Sequence, residues 1–78
     1  MFNTPMKYQV SLMSWPPGIV QGIKQVIIPY QTGIDCLAAR RQYADANGFT
    51  FLAERSDGLI ALYWNDANRL IRLAIEPV

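Results

Sequence analysis

One capped helical pattern, residues 32–51 (TGIDCLAARRQYADANGFTF), stands alone among segments that read as strands. A single helix can cover only one face of a sheet, so the other face is left to water or to a partner. Thr32 offers an N-cap oxygen, and Asp35, three residues on, sets a negative charge near the free backbone donors of the first turn. Gly48 suits the left-handed position that commonly ends a helix. The expected helix therefore covers residues 33–47, about 22 Å long and able to cross four or five strands. Advancing 100° per residue gathers Cys36, Leu37, Ala39, Tyr43 and Ala44 on one arc and Asp35, Arg41, Gln42 and Asp45 on the other. Arg40 interrupts the apolar arc. Either its stem snorkels over the sheet edge, or its head reaches a carboxylate or a partner.

Two strands precede this helix and three follow it. Residues 7–13 alternate, with Tyr8, Val10 and Leu12 on one face. The Ser14-Trp15-Pro16-Pro17-Gly18 run cannot continue a ladder and forms a loop. Residues 23–28 are β-branched, with Val26 and Ile28 on one face, Ile23 and Ile27 on the other, and Pro29 as the stop. Residues 49–54 and 59–64 flank an Asp57-Gly58 hairpin signal, and residues 65–68 turn the chain into a last strand at 69–76, with Ile71, Leu73 and Ile75 facing one way. The expected fold is α+β: a mostly antiparallel sheet of four to five strands with one helix on one face, in the order β-β-α-β-β-β. At 78 residues this is one domain, 1–78, with residues 1–6 as an N-terminal tail.

The sheet has more apolar residues than one face can use. If Phe49, Phe51, Leu59, Ala61 and Tyr63, or their alternates, face the helix, the opposite parity still carries Leu52, Ile60, Leu62 and Trp64. A one-sided antiparallel sheet would alternate apolar with polar. The Trp15 loop, the tail with Phe2, or another chain is expected to cover this second face. Only 17% of residues are charged, against about 25% in an average globular protein, which favours an apolar surface meeting another molecule.

Composition removes several chemistries. There is no histidine, so neither a Ser-His-Asp nor a Cys-His pair nor a His-containing metal site can be assembled. The single cysteine, Cys36, excludes an internal disulfide and reads as a packed thiol, because it falls on the buried arc. The six acidic residues are scattered over cap, helix-surface and turn positions, and no Gly-rich phosphate loop follows a strand. No catalytic residue, cofactor or metal is expected. A net charge of +1 gives no strong field toward nucleic acid or an acidic membrane. The uncharged run over residues 8–23 is broken by Pro16, Pro17 and Gly18, so no membrane span is expected, and the default is a soluble cytoplasmic protein.

Trp15, Arg40, Arg55, Tyr63 and Trp64 are the candidate partner-binding residues, since aromatic and arginine side chains are frequent interface anchors. Three functions fit. The first is a protein-binding module, the second a nucleic-acid binder using sheet aromatics and arginines, and the third a homodimer joined through an apolar sheet face or edge.

The hairpin, the helix opening at Thr32-Gly33-Ile34-Asp35 with its Ala38-Ala39-Arg40-Arg41 centre, and the three-strand meander together resemble very small phage or mobile-element proteins of the anti-CRISPR type. The resemblance is one of layout and extends over most of the chain. It implies a non-catalytic inhibitor that occupies a surface on a larger host machine, such as a CRISPR effector complex, in the host cytoplasm.

Overall fold

The computed structural model describes residues 7–15, 22–67 and 69–78. Its elements are β1 (Tyr8–Ser14), β2 (Ile23–Gln31), α1 (Gly33–Ala46), β3 (Thr50–Glu54), β4 (Ile60–Trp64) and β5 (Leu70–Pro77). All neighbours pair antiparallel in one five-stranded sheet, order β2-β1-β5-β4-β3, which makes the fold α+β. The helix connects the two edge strands, so the chain must cross the whole sheet between β2 and β3. The meander β3-β4-β5 then returns to the centre, where β5 pairs with β1.

Local chemistry sets the turns. The N–H of Asp35 donates to Thr32 Oγ1 at 3.1 Å, which closes the helix N-terminus. Gly48 (φ +70°) ends the helix and Gly58 (φ +75°) closes the β3–β4 hairpin, both in the left-handed region where a Cβ is strained. Asn65 Oδ1 accepts from the N–H groups of Ala67 and Arg69 at 3.0 and 2.9 Å, an Asx turn between β4 and β5.

Two expectations about the strands are corrected. Pro29 does not stop β2, which continues to Gln31; β2 is an edge strand paired only with β1, where a missing backbone donor costs no ladder bond on the open side. Nor do Val26 and Ile28 share a face. Register shifts between Tyr8 and Val10 and between Val10 and Ser11 pair Ile28 with Val10 but Val26 with Ser11, and each extra residue reverses the alternation.

The core lies between α1 and one face of the sheet. Tyr8 and Val10 of β1, Ile71, Leu73 and Ile75 of β5, and Ala61 and Tyr63 of β4 pack there with Cys36 and Ala44 of the helix. The helix buries Gly33, Cys36, Arg40 and Ala44, and its three small residues let it lie close to β1, β2 and β5. Over β3 and β4 it stands further off. Bulky side chains fill part of that gap, and Arg40 spans the rest.

Candidate functional site

The gap between α1 and the β3–β4 hairpin is a cleft of about 440 Å³, lined by Leu37, Arg40, Arg41, Ala44, Asp45, Phe49, Phe51, Glu54 and Tyr63. A chain of rings runs along its aromatic side: Tyr43 meets Phe49 at 6.0 Å, Phe49 meets Tyr63 at 6.1 Å, and Tyr63 meets Phe51 edge-to-face at 5.8 Å. At its base the Arg40 guanidinium, only 5% exposed as a residue, donates to Glu54 Oε1 and to the Gly58 carbonyl, each at 2.8 Å. A one-residue shift in β3 between Phe51 and Ala53 makes this possible, because it pairs Glu54 with Ala61 on the helix side. Without the bulge at Leu52, Glu54 would point to the opposite face. Burial pushes the Tyr63 hydroxyl above its ordinary pKa, so it stays protonated at neutral pH. The cleft thus offers apolar surface and a guanidinium that already has its partners.

The opposite face is composed differently. Reading the ladders across the sheet, one row runs Lys24, Met13, Arg72, Leu62, Ala53, and the next runs Val26, Ser11, Ala74, Ile60. Trp64 and Leu70 form a further pair beyond Arg72. Among the described residues, no helix or strand lies over this face. Trp64 is 41% exposed, and Val26 is exposed as well. Ser11 and Ala74, in the middle of this face, are nonetheless buried. One corner of the face is polar. Gln9 Nε2 donates to Glu76 Oε1 at 3.0 Å, and Lys24 Nζ lies 3.0 Å from the same oxygen. Burial raises the Glu76 carboxyl, but hydrogen bonds from Gln9, Lys24 and Ser11, with the Lys24 charge, hold it below its usual range.

The structure separates the five candidate residues. Arg40 and Tyr63 meet in the cleft, both largely buried, and Arg40 reaches a carboxylate within its own chain. Arg55 is exposed on the hairpin turn, 2.6 Å from Asp57 Oδ2. That pairing, with a backbone bond from Leu59, holds the Asp57 carboxyl below its ordinary pKa. Trp64 stands on the open sheet face. Trp15 is half-buried at the start of the β1–β2 connection, where a Cβ on Gly22 would fall 3.0 Å from its ring and 2.7 Å from Met13 Cγ. Of the expected covers for the open face, Phe2 and Pro16-Pro17-Gly18 lie outside the described residues.

Arg72 was hidden among arginines that read as solvated. The signal for it was present: Ile71, Leu73 and Ile75 face the helix, so Leu70, Arg72, Ala74 and Glu76 share the open face. Glu54 carried no such signal, because a bulge is invisible to alternation. Among the described residues, no group of three or more Cys, Asp or Glu side chains is placed to hold a metal ion, and no helix is long and apolar enough to cross a membrane. Comparison with protein-family models, with curated proteins and with solved structures returns no match.

Proposed function

We propose that this chain is a non-catalytic protein-binding module that docks through the open face of its sheet. The observation that carries this reading is the set of Ile60, Leu62, Trp64, Leu70 and Val26 on the face opposite the helix, of which Trp64 and Val26 are exposed and the others half-buried, with no described helix or strand over them. Apolar surface of this kind on a chain with few charges is the usual mark of an interaction site. Nucleic-acid binding is the weaker alternative. Tyr63 is buried, Arg40 and Arg55 are paired with carboxylates, and the open face mixes Lys24 with Glu76 rather than presenting a basic stripe.

Tagged wild-type protein and a Leu62→Lys, Trp64→Lys double variant, passed over host lysate, test the reading. The expected result is a stoichiometric protein partner retained by the wild type and lost from the variant, with the circular-dichroism spectrum and melting of the two closely similar. A partner held equally by both would refute docking at this face. Light scattering on the same pair tests the homodimer alternative, which requires a wild-type dimer that the two lysines split.

The resemblance in layout to anti-CRISPR proteins supports a narrower form of the proposal: a cytoplasmic inhibitor that blocks a larger host machine such as a CRISPR effector complex. Expression in a host with active CRISPR immunity is then expected to restore infection by a targeted phage. Unchanged immunity across the major effector types would remove this narrower form and leave the binding module standing.

A further inference from the structure

Arg72 sits in the central row of the open face, between Met13 on β1 and Leu62 on β4, with Trp64 and Leu70 as the next pair along the ladder. Its Nε is shut off from solvent and has no hydrogen-bond partner. Among the described residues its guanidinium makes no ion pair either. No carboxylate side chain of the chain can supply the missing partner, since all six lie among the described residues and are placed elsewhere. Glu54 pairs with Arg40, Asp57 with Arg55, and Glu76 with Lys24. Asp35 stands in the first turn of the helix, Asp45 lines the cleft, and Asp66 lies in the β4–β5 turn. None of these three makes an ion pair with Arg72.

Building on docking through this face, we propose that Arg72 is its anion-recognising centre, and that the partner is a protein surface presenting a carboxylate within an apolar patch. A guanidinium reads a carboxylate through paired N–H donors, here the two terminal nitrogens, since Nε is closed to solvent and so to a docking partner. The flanking Met13, Leu62 and Trp64 would exclude water from that pair and strengthen it. A polyanion fits poorly: Lys24 is the only other cation in these rows and Glu76 already neutralises it, whereas a nucleic-acid backbone needs several phosphates met at once.

Titration of the ¹⁵N-labelled full chain with 3-phenylpropionate, 3-phenylpropionamide and inorganic phosphate, followed by NMR, tests this. The expected result is that the acid shifts the Arg72 Nε–H signal together with the backbone amides of Leu62 and Trp64. It should bind at least about tenfold more tightly than the neutral amide, the worth of one charge-assisted hydrogen bond. Arg72→Met, which keeps the apolar stem, should lose the preference for the acid while still binding the amide at the same face. Equal binding of acid and amide at this face would overturn the role of Arg72 and leave docking there intact. Shifts confined to the cleft around Tyr63, or no shift at all, would overturn both. Phosphate moving the Arg72 signal as strongly as the acid would favour a phosphate-bearing ligand and overturn the carboxylate assignment.

Discussion

Cys36 and Glu76 are titratable side chains that the fold moves in opposite directions. Cys36 lies in the first turns of a helix, a position that can lower a thiol pKa, but it is fully buried, and burial first and the Asp35 charge second push its pKa up. The thiolate is the reactive species, so modification has to wait for unfolding. A thiol reagent such as a soluble aryl disulfide is therefore expected to react at least roughly a thousandfold more slowly with native protein than with protein in denaturant, following the small unfolded fraction. Comparable rates in the two conditions would mean that the helix does not pack as described. Glu76 is held below its ordinary pKa, so its contribution is fully present above the unfolded value of about 4.3 and is lost as the pH falls through the lower folded value. Denaturant midpoints measured from neutral pH down to about pH 3 should fall less steeply in Glu76→Gln than in the wild type. The same slope in both proteins would show that the cluster with Gln9 and Lys24 is not formed in solution.

Between elements, the bond from Arg40 to Glu54 ties the helix to the β3–β4 hairpin, and its two ends are not equivalent. The Arg40 side chain is 6% exposed and that of Glu54 is 44%. Removing the carboxylate strands a buried cation, whereas removing the guanidinium leaves Glu54 free to turn into water. Glu54→Ala is expected to cost about 2–3 kcal/mol, below the range for fully buried pairs because Glu54 is half-exposed. Arg40→Met, which retains the packed stem, should cost about 1 kcal/mol. Urea titration of the two variants reads the asymmetry, and equal costs would mean that solvent reaches the guanidinium. The sequence showed one half of this contact. Helical spacing placed Arg40 on the buried arc and predicted a carboxylate as one of its possible partners, but the identity of the carboxylate depends on the bulge at Leu52. Local alternation, which is enough to find β1 and β5 and their faces, cannot see a one-residue slip. The same blindness misassigned Val26 and Ile28, because β2 also slips against β1. Pro29 misled for a related reason: whether a proline ends a strand depends on whether that strand is at an edge, which is a property of the assembled sheet.

At the scale of the whole molecule, the topology decides where stability is concentrated. The first and last strands are neighbours at the centre of the sheet, β1 between β2 and β5, and β5 between β1 and β4. Val10 and Leu73, fully buried, stand on these two strands. Pairing them closes nearly the full length of the chain, so the central ladder rests on the longest-range contacts of the fold and should be lost only on global unfolding. β3 is the opposite case. It is a five-residue edge strand, every residue of it is exposed, and Phe51 remains 57% exposed despite its contact with Tyr63. Native-state hydrogen exchange should therefore find the slowest amides in β1 and β5, with free energies of opening close to that of global unfolding, and markedly faster exchange in β3. Glu54→Ala should separate the two further. It removes the tie between the helix and the hairpin, so β3 and the Gly58 turn should lose protection by more than the fall in global stability alone accounts for. A uniform loss across all five strands would instead mean that the hairpin and the central ladder open as one unit, and that the Arg40 contact stabilises the whole sheet rather than its edge.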